Sequence, residues 1–508
     1  MAYSRFGTDY DKLTAAFVGE TADYECKVTK TINTGIVVVG AGISGLAAAV
    51  QAAELNIPTV LLEHRKVVGG SGMTTLGILA VGSHFQKEQG IEISTGEVVR
   101  MEQETFNYRA DGARLRDMIF ASADNLHWLE KQGVEFSGVV DKYMSDGHVP
   151  TFHWWKSSFG GQAYVNPMKE TFEKKGGTLL MQTAAKKLIM EDGAVKGLYA
   201  VKADGNVLKI NAKAVILANG GFEQNKELLA SRGYDPEDLS FMGALGHDGS
   251  GHFMAWDAGG GNNMEISALM ETPYNKNLPG ICMRGYCQLW MGMRGRQMCV
   301  NGRGERFFDE SASDKLRAFP QIAIQQQNRY GAYEIYDQAV MNAAIQQAKI
   351  DSPRSWEKAS TVIQEALDAG AEGVWKADTI EELADMSGID KVRLLQTYAD
   401  YTRYCEAGKD EEFGKDADRL WKLTGPFYCM KYTAPNYIAT LGGVHTGRDS
   451  EVLGSDDQEI PGLYAVGMLG TELWPGYYTY GMPGGANAFN VDSGRRAVRH
   501  ASSKYMIG

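Results

Sequence analysis

A glycine turn near the start of the chain constrains the fold more than any other feature. Residues 36–39 are four consecutive apolar residues, typical of a buried parallel strand, and Gly40, Gly42 and Gly45 follow at G-x-G-x-x-G spacing. The alanine-rich stretch after them predicts a helix, whose N-terminal N–H groups and dipole favour a pyrophosphate. Glu63 ends the next apolar segment, where a carboxylate would accept a hydrogen bond from a ribose hydroxyl. These residues predict a dinucleotide site.

A second glycine cluster, Gly69-Gly70-Ser71-Gly72, follows this acid. Glycine is abundant in the chain, with 60 residues, so a glycine-rich turn without a ligand is the alternative interpretation. The strand, the helix, the acid and the second cluster together favour the dinucleotide. At this point both FAD and NAD(P) remain open.

The chain of 508 residues is long for one hydrophobic core, so we expect two or more units. The Asp192-Gly193 and Asp204-Gly205 pairs predict hairpin turns between short strands. Residues 310–405 are rich in helix formers, and short strands with glycine turns return from about residue 426. This change predicts a split nucleotide-binding domain over residues 34–271 and 437–508. A capping domain would occupy residues 272–436, and residues 1–33 would form an N-terminal extension.

Charge and composition exclude several classes of function. The net charge of −12 argues against nucleic acid or an anionic membrane as partner. No apolar run reaches the roughly 18 residues of a membrane span, and no apolar signal core is present, so we expect a cytoplasmic protein. The six cysteines and nine histidines show no metal-ligand spacing, which predicts no metal site. Cys282 and Cys287 have C-x4-C spacing, so a redox disulfide is an alternative to ordinary buried thiols.

Several further motifs fall in the order known from one superfamily. They are Ala218-Asn219-Gly220-Gly221-Phe222, residues 300–307 (VNGRGERF), Gly442-Gly443, residues 460–467 (IPGLYAVG) and Gly485-Ala486-Asn487-Ala488. Over roughly residues 34–505 the chain resembles the fumarate reductase/succinate dehydrogenase flavoprotein family, which includes the 3-ketosteroid Δ1-dehydrogenases. The resemblance implies an α/β fold, in which a Rossmann-like (glutathione-reductase-type) FAD domain carries an inserted α+β capping domain.

The resemblance also implies the cofactor and its binding residues. The implied FAD-binding residues are Gly40, Gly42, Ser44, Gly45, Glu63, Gly69, Gly70, Ser71, Gly72, Met73, Ala185, Ala218, Asn219, Gly220, Gly467, Asn487 and Ala488. The helix after Asn487 would direct its positive end at the flavin N1/C2=O region. Complex II relatives tether FAD through a histidine just after the second glycine cluster. Residues 71–74 (SGMT) contain no histidine, so we expect noncovalent FAD.

The departures from the family pattern concern the substrate. Asp314 stands where fumarate reductases carry an arginine acid, and Ala439 stands where they carry a histidine. Their substrate-binding arginine, just before the last glycine pair, is replaced by residues 480–484 (YGMPG). A C4 dicarboxylate needs two cationic groups, so the sequence argues against fumarate as substrate.

Tyr480 and Gly484 instead resemble the Tyr-Pro-Gly-Pro-Gly segment of ketosteroid dehydrogenases, although Gly481 replaces its first proline. There the tyrosine hydroxyl and the last glycine N–H hold a ketone oxygen, as an oxyanion hole would. The alternative is a proline-glycine turn with a packing tyrosine. Asp314 would be the proton donor to the α-carbon, or simply a helix N-cap.

We therefore expect hydride exchange between flavin N5 and the β-carbon of a carbonyl-activated C=C or C–C bond. The expected enzyme is an ene-reductase or 3-ketosteroid-type dehydrogenase with a bulky apolar or aromatic enone or enoate substrate. The aromatic candidates for lining its pocket are Phe152, Trp154, Trp155, Trp290, Trp474, Tyr477 and Tyr478. The alternatives are a reductase of a small carboxylate, an FAD amine oxidase and, with less support, a non-enzymatic FAD-fold escort protein.

The chain contains no second dinucleotide motif and no haem or iron–sulfur motif. Electrons would therefore be exchanged with an external partner. The candidates are a partner flavoprotein, a ferredoxin, a quinone or free flavin.

Overall fold

The glycine turn lies at the end of a strand in a mixed sheet. The computed structural model describes residues 8–143, 149–157, 159–237, 239–241, 243–278, 282–315, 318–327, 331–351, 356–478 and 481–506. The described strands are β1 (Val28–Val39), β2 (Thr59–Leu62), β3 (Gly77–Leu79), β4 (Phe136–Asp141), β5 (Phe152–Trp155), β6 (Thr178–Leu180), β7 (Thr183–Glu191), β8 (Ala194–Lys202), β9 (Val207–Leu217), β10 (Ser240–Phe241), β11 (Ala268–Tyr274), β12 (Met298–Asn301), β13 (Ala332–Asp337), β14 (Val374–Ala377), β15 (Phe427–Tyr432), β16 (Ala434–Leu441), β17 (Glu451–Leu453) and β18 (Glu459–Ala465).

Helices alternate with the strands along the chain. The described α-helices are α1 (Tyr10–Val18), α2 (Thr21–Glu25), α3 (Ile43–Glu54), α4 (His84–Glu88), α5 (Thr95–Thr105), α6 (Gly112–Lys131), α7 (Asn166–Lys174), α8 (Lys226–Ser231), α9 (Ser250–Asp257), α10 (Cys282–Met293), α11 (Ala312–Lys315), α12 (Ala318–Gln325), α13 (Gln338–Asp351), α14 (Glu357–Asp368), α15 (Ile380–Ser387), α16 (Lys391–Ala407) and α17 (Gly485–Ala501). Within these described residues, no helix has both the length and the apolar character needed to cross a bilayer.

The largest sheet has eight strands, with the order β17-β18-β9-β1-β2-β6, and β8 and β7 branch from β9. β1 pairs in parallel with both β2 and β9, so the carboxyl ends of these strands meet at one edge. The predicted α/β fold class is confirmed, and the sheet is mixed because β7, β8 and β17 pair antiparallel. β1 begins at Val28 and not at residue 34, so the sheet includes the last residues of the predicted N-terminal extension.

Two turns predicted from Asp-Gly pairs connect antiparallel strands of this sheet. Asp192 and Gly193 both have positive φ angles and join β7 to β8. Gly205, also with a positive φ, lies in the turn between β8 and β9. Both turns agree with the prediction, because Asp-Gly favours the left-handed conformations that tight hairpins need.

A second unit follows, with its own sheet and hydrophobic core. The antiparallel sheet β12-β13-β15-β14 packs with helices α10 and α13 to α16 around a cluster that extends from Tyr274 to Tyr432. The chain enters this unit through β11 and leaves it through β16, which pair antiparallel. The predicted boundaries at residues 271/272 and 436/437 fall within these two strands, and they stay a prediction.

The last helix returns to the first unit. α17 packs against α3, and the buried face of both helices belongs to one core cluster with β1. A small sheet, β3-β5-β4, lies beside the N-terminus of α17, where the Leu79 N–H donates to the Gly484 carbonyl. The strand β3, which follows the second glycine cluster, therefore contacts the start of the C-terminal helix α17.

Candidate cofactor cleft and active site

The glycine turn joins the end of β1 to the start of α3. Gly40 has a φ of +102°, and its N–H donates to the Leu62 carbonyl at 2.8 Å. A Cβ on Gly45 would overlap the Gly40 carbonyl oxygen, so only glycine lets α3 pack this closely on the turn. Gly42 is the N-cap of α3, and no described side chain caps this N-terminus. Its N–H groups therefore suit an anionic ligand.

Glu63 lies directly after β2 and holds the turn in place. Its carboxylate accepts hydrogen bonds from the Ala41 N–H at 3.1 Å and the Arg65 N–H at 2.8 Å. Burial alone would raise the pKa of Glu63, but hydrogen bonds from His64, Arg65 and Ala41 lower it. An ionised carboxylate at this position keeps acceptor capacity for ribose hydroxyls.

These elements surround a cleft of about 220 Å³ at the carboxyl edge of the parallel strands. Two buried polar atoms of its lining have neither a hydrogen-bond partner nor an ion-pair partner within the described residues. Ser71 Oγ and Asn219 Oδ1 make no hydrogen bond within the described chain. Buried polar groups are normally paired, so these atoms fit a polar ligand that the protein binds here. The site therefore fits FAD by its anion-binding turn, its acid and its unpaired polar atoms.

Most predicted FAD residues line this cleft, whereas four do not. The lining residues among them are Gly40, Gly42, Ser44, Glu63, Gly69, Gly70, Ser71, Gly72, Ala185, Ala218, Asn219, Gly220 and Asn487. Gly45 packs against the turn, and Gly467 donates its N–H to Ser493 Oγ at 3.0 Å. Ala488 is buried in the core, and Met73 is 41% exposed outside the cleft. The roles of all seventeen stay predictions.

Other residues line the cleft without any motif that could have identified them. They are His64, Arg65, Thr75, Thr183, Lys186, Glu223, Leu245, Gly246, His247, Asp248, Ser250, Met468 and Asn490. Several come from the loop before α9, far along the chain from the glycine turn. The only sequence signal near them is the position of Glu223, just after the predicted Gly220-Gly221 turn.

His247 and Glu223 form a buried ion pair within this lining. Their Nδ1 and Oε2 atoms are 3.2 Å apart, and the side chains are 12% and 1% exposed. Burial opposes protonation of His247, but the Glu223 carboxylate raises its pKa above the ordinary histidine value. A Cβ on Gly220 would lie 2.9 Å from Nε2 of His247, so the imidazole lies directly on this turn.

The C-terminal helix closes the other end of the cleft. Asn487 and Asn490, in the first turns of α17, line the cleft, and Asn487 donates to the Gly77 carbonyl at 2.7 Å. Ala439, on β16, also lines it. The position that carries a histidine in the family pattern therefore lines the cleft as an alanine.

Two of the three predicted catalytic residues, Asp314 and Gly484, lie within the described residues. Tyr480 lies outside the described residues. Asp314 lies inside the short helix α11, and not at its N-cap. Gly484 is the N-cap of α17, where a Cβ would lie 2.5 Å from the Leu79 nitrogen. The backbone of β3 thus approaches the start of α17 closely.

The aromatic side chains near this end are packed in the core. Trp474 and Tyr478 contact each other and are buried. Tyr477 donates its hydroxyl to the Thr105 carbonyl at 3.0 Å and stacks on Phe106. Phe152, Trp155 and Trp290 are also buried, and Trp154 donates to Asp141. Within the described chain, none of the seven predicted pocket aromatics lines the cleft.

The VNGRGERF motif belongs to a buried ion network in the second unit. Arg306 lies 2.7 Å from a Glu310 oxygen and 3.0 Å from an Asp410 oxygen. Lys415 lies 3.4 Å from Glu310 and donates to Tyr401 Oη at 2.9 Å. These four charged side chains are fully buried and paired, so this network holds the second unit together.

Comparison with known proteins agrees with this cleft. Residues 35–481 match the FAD binding domain family. The chain belongs to this family of flavoproteins, and the resemblance deduced from its motifs is confirmed.

Two curated relatives are reductases. The chain is 32% identical to a vinyl phenol reductase of Lactiplantibacillus plantarum, over 92% of this chain and 96% of the relative. It is 28% identical to a urocanate reductase of Eggerthella lenta, over 90% of this chain and 75% of the relative. The protein is therefore an FAD-dependent oxidoreductase.

A solved structure shows the same fold. A 3-ketosteroid-Δ4-(5α)-dehydrogenase from Rhodococcus jostii RHA1, in complex with 4-androstene-3,17-dione, superposes with a TM-score of 0.72. The match covers 94% of this chain and 98% of that chain at 22% identity.

Proposed function

We propose that this protein reduces a C=C bond conjugated to a carbonyl group in an aromatic enone or enoate. Bound FAD would supply the hydride, which goes from N5 to the β-carbon of the substrate. The similarity to vinyl phenol and urocanate reductases supports a double bond attached to an aromatic ring as the reacting group. The steroid dehydrogenase shares the fold but, at 22% identity, does not extend the proposal to steroids.

The observation that carries the proposal is Ala439 in the cleft. Its methyl group lines the cleft at the position where fumarate reductases carry a histidine. Met482, near the place of their substrate-binding arginine, is buried and apolar. A dicarboxylate needs paired cationic donors, whereas an aromatic ring is stabilised by apolar surface. Apolar residues at these two positions therefore favour an apolar substrate.

Tyr480 and Gly484 would hold the substrate carbonyl oxygen. Negative charge develops on this oxygen when the β-carbon receives a hydride, and two donors that converge on it stabilise that charge. The N-terminus of α17, which begins at Gly485, would add the positive end of its dipole to the same region. Asp314 would deliver the proton to the α-carbon.

Two further properties belong to this proposal. FAD would be noncovalent, since residues 71–74 offer no histidine at the place of the family's covalent link. Acid precipitation of the protein should therefore release the flavin into the supernatant. Electrons would come from an external donor: a partner flavoprotein, a ferredoxin, a quinone or free flavin.

A stopped-flow screen tests the substrate class. Photoreduced holoenzyme is mixed without oxygen with a cinnamate, 4-vinylphenol, a 3-keto-4-ene steroid, cyclohexenone and fumarate, and flavin absorbance reports reoxidation. We expect the cinnamate to reoxidise the flavin fastest, and 4-vinylphenol, which has no carbonyl group on its double bond, to react more slowly. Fastest reoxidation by fumarate would overturn the proposal, and peroxide formation with an amine would favour an amine oxidase.

Tyr480→Phe tests the oxygen-holding role with the substrate found in this screen. Loss of one donor should slow reoxidation by about 10²- to 10³-fold. Tyr477→Phe is the matched control, because the Tyr477 hydroxyl donates to the Thr105 carbonyl outside the cleft. Equal rates for Tyr480→Phe and the wild type would remove Tyr480 from the mechanism.

A further inference from the structure

The loop before α9 brings a histidine into the cleft and holds it there. The Gln224 N–H donates to the His247 carbonyl at 2.9 Å, and the Asn225 side chain donates to the Asp248 carbonyl at 3.0 Å. The Gly246 N–H also donates to the Gln224 side chain. These bonds fasten the loop to the segment after the Gly220-Gly221 turn, so the position of the imidazole is defined by the fold.

The imidazole lies between two glycine segments of the lining. Its Nε2 would be 2.9 Å from a Cβ on Gly220 and 3.6 Å from one on Gly70. Gly70 follows Gly69, whose N–H donates to the Ala41 carbonyl in the first glycine turn. The imidazole therefore lies beside the glycine segment that is hydrogen-bonded to the first glycine turn.

Glu223 is the ion-pair partner of the His247 imidazole and favours its protonated form. Its Oε2 lies 3.2 Å from Nδ1, and its other oxygen accepts a hydrogen bond from the Thr440 N–H at 2.9 Å. The carboxylate lies beside Nδ1 at ion-pair distance, and Nε2 is the nitrogen next to the glycine segments of the cleft. When both nitrogens carry a proton, Nε2–H is a charged donor to an anion.

From this arrangement we propose that His247, positioned by Glu223, binds the pyrophosphate of FAD as a charged hydrogen-bond donor. The pyrophosphate is the anionic part of FAD, and the adjoining glycine segments present backbone to the same stretch of the cleft. A charge-assisted hydrogen bond in a buried site is stronger than one between neutral groups. His247 would thus supply what the glycine turn lacks, a side chain that neutralises part of the phosphate charge.

The charged groups around His247 define the expected pH dependence. Glu223, Glu63 and Asp248 favour its protonated form, and burial opposes it. His64, Arg65 and Lys186 line the same cleft. Protonated His247 binds the pyrophosphate below its pKa, and this contribution is lost as pH rises through that pKa. FAD should therefore dissociate faster at higher pH.

The test measures release of FAD from the holoprotein after dilution, by flavin fluorescence with a phosphodiesterase that hydrolyses free FAD. His247→Gln keeps a polar side chain without charge and should raise the dissociation rate by about 10- to 100-fold, the range for one lost charge-assisted hydrogen bond. Wild-type release should accelerate from about pH 6 to about pH 9. His247→Gln should show no such acceleration.

His64→Gln is the matched control, because His64 also lines the cleft but lies beside Glu63, with its side chain 44% exposed. It should keep the wild-type pH dependence. A pH-independent wild type, or loss of the pH dependence in His64→Gln, would overturn the proposal. If His247→Gln does not fold, the wild type and His64→Gln still decide between these outcomes.

The flavin spectrum separates a pyrophosphate contact from a contact to the ring. His247→Gln should leave the visible absorption maxima and the midpoint potential of the bound flavin unchanged. A shift in either would place the imidazole at the isoalloxazine and overturn the assignment to the pyrophosphate. Neither measurement depends on the substrate, so the outcome is independent of the proposed reductase activity.

Discussion

The cofactor cleft and the core of the second unit both bury polar and charged side chains, but they differ in how completely these groups are paired. In the second unit, Arg306 contacts three carboxylates, and Lys415 contacts Glu310 and donates to the Gln297 carbonyl. In the cleft, Ser71 Oγ and Asn219 Oδ1 have no partner within the described residues. Both regions are buried, so burial alone does not distinguish a structural cluster from a binding site.

The two regions differ in whether their buried polar groups are paired with other groups of the protein. Each charged group of the Arg306 network finds its partner within the protein, which offsets the cost of burial. Ser71 Oγ and Asn219 Oδ1 in the cleft, in contrast, would form their hydrogen bonds only with a bound ligand. Substitutions in the Arg306 network should therefore reduce the stability of the fold, and substitutions in the cleft should reduce ligand affinity.

The largest effect is expected for Arg306→Met. It would leave Glu310 and Asp410 buried near a single cation, and removing one partner from a buried ion pair costs about 3–5 kcal/mol. Urea denaturation, followed by tryptophan fluorescence, should show this loss of stability. Lys169→Met is the control, because the Lys169–Glu173 pair is exposed and should contribute less than about 1 kcal/mol. A loss for Arg306→Met no larger than the control would contradict the structural role.

A smaller effect, with a defined pH dependence, is expected at Glu334. This buried carboxylate accepts hydrogen bonds from Tyr286 at 2.8 Å and Tyr432 at 2.6 Å. Burial raises its pKa to about 7, whereas burial of Glu310 is outweighed by Lys415 and Arg306, which lower its pKa. The two carboxylates of one unit are thus shifted in opposite directions.

The sign of the effect follows from proton binding. Between the unfolded pKa of about 4.5 and the folded pKa of about 7, the folded state holds more protons at Glu334 than the unfolded state. Stability therefore falls as pH rises through this window, by about 3 kcal/mol in total. Glu334→Gln should remove this dependence and be more stable than the wild type at pH 8. Glu310→Gln, in contrast, should be less stable than the wild type there.

How much the sequence could predict depends on the distance between the contacting residues along the chain. β1, the glycine turn, α3, β2 and Glu63 were all predicted, because they form one contiguous unit with fixed spacing. The hairpins at Asp192 and Gly205 were predicted for the same local reason. The family follows from several such motifs in the right order.

The sequence could not predict what distant segments contribute to the cleft. His247 reaches it through hydrogen bonds to Gln224, and its pairing with Glu223 has no sequence pattern. The aromatic residues were predicted to line the pocket, yet Trp474 and Tyr478 pack in the core. The sequence shows that a residue is aromatic but not whether its side chain points to the core or to a pocket. Ala439 could be aligned from its motif, but only the fold shows that it faces the cleft.

The smallest effect is expected for Ser71→Ala. The Ser71 hydroxyl oxygen is buried at the cleft without a partner, so its removal should stabilise the FAD-free protein slightly, by about 1 kcal/mol or less. The same change should weaken FAD binding by a few-fold, because one neutral hydrogen bond to the ligand is worth about 1 kcal/mol. Thermal unfolding with and without added FAD measures both effects on one protein: the variant should melt at or above the wild type without FAD and gain less from FAD. A variant less stable than the wild type without FAD would show that Ser71 supports the fold, and the contrast with the Arg306 network would then fail at this residue.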